Sequence, residues 1–154
     1  MKRILIVDDE HKVLFIMRTA LKLLDRELEI EVAHNGQEAL QEIEDRFFDL
    51  IITDLKMPGI SGIRLTEAIR SLSPDSTVVW ITAYGCYRVY GDSRRLGVYR
   101  CLDKPVKIGQ LRQVTLDALE GASTSDQGPS LPGSTQPTDL NMEDRDPDEN
   151  KEVK

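Results

Sequence analysis

Five polar side chains of this 154-residue chain stand at or just beyond the ends of short apolar runs: Asp8, Asp9, Asp54, Thr82 and Lys104. Clustered carboxylates repel one another unless a cation neutralises them, and oxygen ligands favour a hard ion such as Mg²⁺. A hydroxyl and an ammonium group opposite that ion could hydrogen-bond the oxygens of a phosphoryl group. An aspartate needs no general base to become a nucleophile. These residue types therefore fit phosphoryl transfer onto a carboxylate.

The segments that must position these side chains alternate between two periodicities. Apolar runs of strand length are Ile4–Val7, Leu28–Ala33, Leu50–Thr53, Val78–Thr82 and Val98–Leu102. Stripes with helical spacing fall within residues 13–24, 39–43, 63–72 and 108–119, whereas residues 86–96 carry only a thin stripe interrupted by Gly91. Such alternation predicts a parallel sheet with right-handed crossovers and helices on both faces. Functional groups of such sheets collect at the carboxyl ends of the strands, where the five side chains stand.

The composition excludes several other classes of protein. The formal net charge is −7, and this acidic balance argues against a general nucleic-acid binder, whose affinity comes from clustered Lys and Arg. No apolar run approaches the roughly 18 residues needed to span a bilayer, and Ile4–Val7 is too short for the core of a signal peptide. With only two cysteines, a disulfide scaffold is not expected, and we predict a cytoplasmic protein.

Composition also divides the chain at about residue 120. Residues 1–120 have a net charge of −2, whereas residues 121–154 have a net charge of −5, four of the seven prolines and no aromatic residue. The apolar residues of the second stretch follow no period, so it cannot bury enough surface to offset the entropy of ordering. We predict a folded domain at residues 1–120 and a disordered acidic tail rich in Pro, Ser and Thr at residues 121–154.

The motifs at the predicted strand ends resemble those of the receiver domain of two-component response regulators, over residues 2–119. They are Asp8-Asp9, Asp54 with Met57-Pro58 and Gly62, Thr82-Ala83, and Lys104-Pro105, in the order and spacing of that family. The resemblance implies an α/β fold of the flavodoxin-like, doubly wound kind. In that fold a five-stranded parallel sheet of order 2-1-3-4-5 and five helices form a three-layer sandwich. The resemblance also implies a cis peptide bond between Lys104 and Pro105.

The resemblance implies a role for each carboxylate. Asp54 would be the phosphoacceptor. Asp9, Asp54 and the backbone carbonyl of Lys56 would hold Mg²⁺, with Asp8 acting mainly through bound water. The donor would be a phosphohistidine on a sensor histidine kinase. Phosphotransfer and dephosphorylation would be catalysed by the receiver itself, so we expect a switch rather than an enzyme.

By the same resemblance, Thr82 and Lys104 would bind the phosphoryl oxygens. Phosphorylation replaces a carboxylate with a bulkier and more negative group that these two side chains can hold. Their movement would bias a two-state surface made by the fourth helix, the fifth strand and the fifth helix.

One position departs from the family's pattern. Receivers usually carry Tyr or Phe three residues before the lysine, a ring that changes rotamer during switching, but here the residue is Cys101. Tyr99 is expected to point the same way on the strand, so Thr82, Cys101 and Tyr99 are the predicted switch residues. Output would then rely on movement of the loop after Thr82 and of the fourth helix. Cys86 is expected on the side that Cys101 faces, and two ordinary buried cysteines are favoured over a redox-coupled pair.

Other polar residues are predicted to take no part in the chemistry. His11 and His34 are expected at the surface or at the rim of the pocket, where His11 could tune the acidic groups. Four arginines could form an anion-binding patch, but a solvated helix face that could contribute to a partner surface is favoured; they are Arg88, Arg94, Arg95 and Arg100.

We therefore predict a phosphorylation-controlled switch in two-component signal transduction, acting through a downstream protein partner. Residues 121–154 are too few and too acidic to form a DNA-binding domain, so direct DNA binding is not expected. Membrane binding is not expected either, and a homodimer through the fourth helix, fifth strand and fifth helix stays open. The main alternative is a degenerate receiver that binds its partner constitutively.

Two other classes of protein are disfavoured because the sequence lacks a feature that each of them requires. A phosphohydrolase or phosphomutase of the haloacid-dehalogenase type needs a second carboxylate two residues after the nucleophile, where this chain has Lys56. A flavodoxin-like nucleotide binder would need a glycine-rich loop after the first strand.

Overall fold

Strands and helices alternate along residues 1–24 and 26–121, the part of the chain that this computed structural model describes. The strands are β1 (Lys2–Val7), β2 (Leu28–Ala33), β3 (Leu50–Asp54), β4 (Thr77–Thr82) and β5 (Arg100–Asp103). The helices are α1 (His11–Lys22), α2 (Gly36–Asp45), α3 (Gly62–Leu72), α4 (Tyr90–Arg95) and α5 (Ile108–Glu120). A 3₁₀ helix, Cys86–Val89, precedes α4.

The strands form one parallel sheet with the order β2-β1-β3-β4-β5. β3 lies at the centre and is buried along its whole length, which is why its sequence is apolar rather than alternating. The order of the strands and the five helices confirm the predicted flavodoxin-like fold.

Two apolar clusters, one on each face of the sheet, form the core. Alternate residues of β1 point into different clusters. Leu5 and Val7 face the cluster beneath α2 and α3, and Ile4 and Ile6 face the cluster beneath α1 and α5. The sheet therefore lies between two helical layers, as predicted.

The helices differ in how they begin. Asn35 accepts a hydrogen bond from the backbone N–H of Glu38 at 2.8 Å at the start of α2, and Ser61 caps α3 in the same way. α4 has no side-chain cap and only six residues, of which Ser93 alone is buried. The predicted thin stripe thus becomes a 3₁₀ helix and a short α-helix, because Gly91 and the arginines leave few apolar side chains to bury.

Some ends of the predicted elements differ from the structure. β5 begins at Arg100 rather than at Val98. Leu72 and Ile108, expected on buried helix faces, are 50% and 38% exposed. Leu72 is the last residue of α3, and Ile108 is the first residue of α5.

The predicted tail, residues 121–154, lies outside the described residues except for Gly121. α5 ends at Glu120, and the domain boundary stays a prediction. Within the described ranges, no helix is long and apolar enough to cross a membrane.

Candidate functional site

Asp8 and Asp54 lie side by side at the carboxyl edge of the sheet. Asp54 is the last residue of β3, and Asp8 follows β1, which pairs with β3 so that Val7 lies opposite Thr53. Because both strands are covered on their two faces, Asp8 is 0% and Asp54 is 5% exposed. Asp9 is exposed at the rim. Two buried carboxylates at neighbouring strand ends require positive charge nearby.

Gly62 lets α3 pack directly against the backbone of Asp54. A Cβ atom at this position would collide with the carbonyl oxygen of Asp54 and with Leu55. The Gly62 N–H donates to the Leu55 carbonyl at 2.8 Å. The start of α3 therefore holds the end of β3, and a larger side chain at Gly62 would displace Asp54.

Lys104 supplies the positive charge. Its Nζ lies 3.2 Å from Asp54 Oδ2, 3.1 Å from Asp8 Oδ2 and 3.6 Å from Glu10 Oε1. The backbone N–H of Lys104 donates to the Thr82 carbonyl at 2.8 Å, which attaches the residue to the end of β4. The Lys104–Pro105 peptide bond is cis, as the resemblance implied. We refer to Asp8, Asp9, Asp54 and Lys104 as the acidic pocket.

Burial raises the pKa values of both inner carboxyl groups above their ordinary range. For Asp8, desolvation outweighs the hydrogen bond from the Glu10 N–H and the attraction of Lys104, and the charge of Asp54 adds to the rise in pKa. For Asp54, desolvation outweighs the attraction of Lys104, so its pKa is raised too. Burial lowers the pKa of Lys104, but the two carboxylates raise it by more. Burial therefore disfavours the charged form of both carboxyl groups despite the attraction of Lys104.

The oxygens of the three aspartates are arranged so that they could hold a cation. One oxygen from each of Asp8, Asp9 and Asp54 lies within 4.8 Å of the others. Asp8 Oδ1 accepts a hydrogen bond from the Glu10 N–H at 2.9 Å. Asp8 Oδ2 is buried and accepts no hydrogen bond of good geometry, although Lys104 Nζ is 3.1 Å away. Buried carboxylate oxygens without full partners fit a hard divalent cation such as Mg²⁺.

Thr82 and Lys56 border the acidic pocket. Thr82 ends β4, the neighbour of β3, and its buried hydroxyl accepts a hydrogen bond from the Tyr84 N–H at 2.9 Å. Lys56 donates its backbone N–H to Asp54 Oδ1 at 3.5 Å, and its Nζ lies 4.6 Å from the centre of the Tyr84 ring. The phosphoryl-binding role of Thr82 and the metal-binding role of the Lys56 carbonyl stay predictions.

Cys86 and Cys101 are joined by a disulfide bond. The prediction of two ordinary buried cysteines is therefore wrong. Pairing of β4 with β5 sets Cys101 opposite Trp80. The 3₁₀ helix brings Cys86 next to Cys101, so that the Cα atoms of the two cysteines lie 5.8 Å apart. This separation is usual for a disulfide. The only sequence signal was the presence of two cysteines, because their proximity depends on how the 3₁₀ helix packs.

Tyr99 and Cys101 pack on opposite faces of the sheet, contrary to prediction. Cys101 belongs to the cluster that contains Trp80, whereas Tyr99 packs against the cluster that contains Leu102. Tyr99 precedes β5, and the regular alternation of side chains begins only at Arg100. Tyr99 therefore does not occupy the place of the ring that Cys101 replaces.

The histidines lie at the surface as predicted, but the prediction that all four arginines share a helix face is wrong, because Arg100 is the first residue of β5. The centres of the His11 and His34 rings lie 4.5 Å apart with the two rings tilted by 34°, and His34 Nδ1 lies 3.1 Å from Glu38 Oε1. Of the arginines, three are exposed and one is partly buried; they are Arg88, Arg94, Arg95 and Arg100.

Sequence reasoning missed an apolar depression beside Lys104. It has a volume of about 430 Å³, and its lining includes Val13, Met17, Pro105, Val106 and Ile108. The available signal was Ile108, which the helical stripe assigned to the core and which the structure leaves partly exposed.

Comparison with known proteins defines the class of this one. Residues 4–116 match the family model of the response regulator receiver domain. The chain is 33% identical over 118 residues to the response regulator protein PilR of Pseudomonas aeruginosa, covering 77% of this chain and 26% of PilR. The chain therefore belongs to the response regulator receiver domain family.

Solved receiver structures share the fold. A CheY-like receiver domain protein from Methanospirillum hungatei matches with a TM-score of 0.74 and 30% identity, over 80% of this chain and 98% of that one. The response regulator TrrA from Thermotoga maritima, in complex with Mg²⁺ and BeF, matches with a TM-score of 0.68 and 34% identity, over 77% of this chain and 100% of TrrA.

The family defines the general behaviour of the domain. Receiver domains are phosphoacceptor switches rather than classical enzymes, bind Mg²⁺ at an acidic pocket and interact with sensor histidine kinases. This chain spans about a quarter of the length of PilR.

Proposed function

We propose that this protein accepts a phosphoryl group on Asp54 from a phosphohistidine of a sensor histidine kinase, and thereby switches a protein-binding surface. The main support is the position of Lys104 Nζ, 3.2 Å from Asp54 Oδ2, beside three aspartate oxygens that lie within 4.8 Å of one another. Phosphoryl transfer requires a nucleophilic oxygen together with positive charge placed where negative charge develops.

In the proposed step, an Asp54 oxygen attacks phosphorus while the bond from phosphorus to the donor imidazole breaks. The departing imidazole takes up a proton from water and leaves as a neutral ring. Lys104 keeps its charge because the two carboxylates outweigh burial and raise its pKa. Its ammonium group would then donate a hydrogen bond to one phosphoryl oxygen. The Thr82 hydroxyl would turn away from the Tyr84 N–H and donate to a second phosphoryl oxygen.

The aspartates have a second proposed task, which is to hold Mg²⁺. The set would be Asp9, Asp54 and the backbone carbonyl of Lys56, with Asp8 acting mainly through bound water. The ion would neutralise the negative oxygens of the transferred group. The buried Asp8 Oδ2, which lacks a well-formed hydrogen bond, supports this assignment.

The output surface in this proposal consists of α4, β5 and α5. A downstream protein partner would bind there, and a homodimer could use the same surface. Neither direct DNA binding nor membrane binding is part of the proposal. We propose a cytoplasmic location, which is typical of the family.

Intact mass spectrometry after incubation with acetyl phosphate and Mg²⁺ tests the proposal. We expect a gain of about 80 Da, the mass of one phosphoryl group. The gain should disappear in Asp54→Asn and on chelation of Mg²⁺. Asp45→Asn, which changes an exposed aspartate at the end of α2, is the matched control and should gain the same mass as the wild type.

Two results would contradict the proposal. An adduct that persists in Asp54→Asn would mean that another residue accepts the phosphoryl group. Folded wild-type protein that gains no mass with acetyl phosphate, phosphoramidate or a phosphorylated kinase would favour the alternative, a degenerate receiver that binds its partner constitutively.

A further inference from the structure

The disulfide Cys86–Cys101 encloses the 3₁₀ helix and α4. We call residues 86–95, which comprise these two elements, the α4 segment. Both cysteines are buried, with exposures of 3% and 2%. Cys86 is the first residue of the 3₁₀ helix, and Cys101 lies in the edge strand β5. The bond therefore ties the start of the α4 segment to the sheet.

Apart from this bond, the α4 segment has few anchors. Of the residues of α4 only Ser93 is buried, and a Cβ atom at Gly91 would meet open space. The 3₁₀ helix adds the buried side chain of Val89. The ion pair between Arg95 and Glu67 of α3 is exposed, and such pairs contribute little. After the last residue of the α4 segment the chain is anchored again, because Leu96 and Val98 are buried and Arg70 Nε donates to the Leu96 carbonyl at 2.7 Å. Segments with few buried apolar contacts open locally at low free energy, so the disulfide restrains the start of a sparsely packed segment.

Both ends of the disulfide adjoin groups of the proposed phosphoryl site. Thr82 precedes Cys86 by one short loop, in which the Thr82 hydroxyl accepts a hydrogen bond from the Tyr84 N–H at 2.9 Å. The Cys86 N–H donates to Asp103 Oδ1 at 2.9 Å, and Asp103 directly precedes Lys104. The loop that would respond to a change at Thr82 therefore ends at a residue that the disulfide holds.

We propose that Cys86 and Cys101 form a reversible thiol–disulfide site that controls whether phosphorylation reaches the α4 segment. This inference rests on the proposed function. With the bond closed, the α4 segment stays attached to β5, and a change at Thr82 does not alter the α4 segment. With two free thiols, the segment rearranges when Asp54 is phosphorylated. Disulfides of cytoplasmic proteins are usually transient and often redox-sensing, which agrees with this role.

The co-reactant is a protein of the dithiol–disulfide oxidoreductase class, for which dithiothreitol substitutes in vitro. A thiolate of the dithiol attacks one cysteine sulfur, the S–S bond breaks, and the other cysteine leaves as a thiolate. The second thiol of the dithiol then displaces the first cysteine and closes a new disulfide. Two electrons and two protons pass to the cysteines, and the reverse reaction restores their bond. Because both sulfurs are buried, the attack requires the α4 segment to open.

Hydrogen exchange of the full chain, measured by mass spectrometry on peptides from the α4 segment, tests the proposal. Oxidised protein and protein reduced with dithiothreitol are each compared before and after phosphorylation with acetyl phosphate and Mg²⁺. Alkylation counts the thiols, and intact mass measures the adduct. We expect exchange in the α4 segment to be about tenfold faster after reduction. Phosphorylation should change that exchange at least about threefold in the reduced protein and leave it unchanged in the oxidised protein, with equal adduct in both.

Two controls separate the disulfide from other effects of the reductant. Cys86→Ser removes the bond with little change in volume and lies outside the acidic pocket. It should behave as reduced protein whether or not dithiothreitol is present. Peptides from α1, which packs on the opposite face of the sheet, should not respond to reduction.

Three outcomes would overturn the proposal. An equal response of the α4 segment to phosphorylation in both redox states would do so while leaving the proposed function intact. A bond that dithiothreitol fails to reduce in folded protein would do the same, because the disulfide would then be structural only. Folded protein that forms no adduct in either state would contradict the proposed function and this proposal with it.

Discussion

Two regions that must work together in this receiver, the acidic pocket and the α4 segment, are attached to the fold in different ways. Asp8 and Asp54 extend from β1 and β3, central strands whose core residues are almost completely buried. The α4 segment stands beside the edge strand β5, and its buried side chains are Cys86, Val89 and Ser93. Noncovalent packing holds the first region, whereas a covalent bond ties the start of the second to the sheet.

The difference shows how one small domain can combine precise chemistry with movement. Phosphoryl transfer needs groups fixed within a fraction of an ångström, which buried strands provide. A switching surface needs two states of similar free energy, which a sparsely packed segment provides. Four measurements can sharpen or break this comparison.

The largest expected effect comes from the disulfide. Its reduction should lower the free energy of unfolding by about 3 kcal/mol, because the closed loop of about 15 residues no longer restricts the unfolded chain. Urea unfolding of the oxidised and reduced protein measures this difference. Reduced Cys86→Ser should unfold at nearly the same urea concentration as reduced wild type. A loss below about 1 kcal/mol would mean that the closed loop contributes little to stability, contrary to the comparison.

The same side-chain truncation in the two regions should have unequal effects. Val79→Ala in β4 should cost about 2.5 kcal/mol, because strands on both sides prevent the cavity from collapsing. Val89→Ala in the 3₁₀ helix should cost about 1 kcal/mol, since that segment can relax. Urea unfolding of both variants under reducing conditions makes the comparison. Equal losses would remove the distinction between the two regions.

Asp54→Asn should raise the free energy of unfolding by roughly 1 kcal/mol near neutral pH in the absence of Mg²⁺. Burial raises the pKa of Asp54 above its ordinary value of 3.8, so folding favours the protonated carboxyl group. The stability contributed by this group is therefore present below pH 3.8 and is lost as the pH rises through the pKa of the folded state. The greater stability of Asp54→Asn should therefore develop as the pH rises through the pKa of Asp54 in the folded protein, and it should vanish in acid.

Unfolding of wild type and Asp54→Asn at a series of pH values measures this dependence, with Asp45→Asn as the exposed control. Mg²⁺ should stabilise the wild type by binding the folded state and should have little effect on Asp54→Asn. An Asp54→Asn protein that is less stable than the wild type at neutral pH would show that Lys104 more than compensates for burial of the carboxylate.

The smallest expected effect is a gain in stability from a substitution in the α4 segment. Gly91→Ala should stabilise the protein by roughly 0.5 kcal/mol, because alanine favours the helix and its Cβ atom would meet open space. In reduced protein, exchange of the α4 segment should slow by about twofold. Gly109→Ala in α5 offers a comparable helical site with open space, and it should leave exchange of the α4 segment unchanged.

The acidic pocket could be predicted from the sequence to a greater extent than the α4 segment. Asp8, Asp54 and Lys104 stand at the ends of apolar runs, and parallel strands bring such ends to one edge whatever the details of packing. The thin stripe between β4 and β5 correctly indicated a weak helix. It did not indicate a 3₁₀ helix followed by α4, because with so few apolar side chains tertiary contacts decide the local backbone.

The sequence by itself determined the alternation of strands and helices and the edge at which the polar side chains meet. Both follow from local periodicity, since apolar strands such as β3 must be covered on two faces. Only the tertiary structure decided that Cys86 bonds to Cys101 and that Tyr99 packs on the face opposite Cys101. Both depend on the path of the chain between β4 and β5. That path is set by packing between residues distant in sequence, which no local pattern of residues encodes.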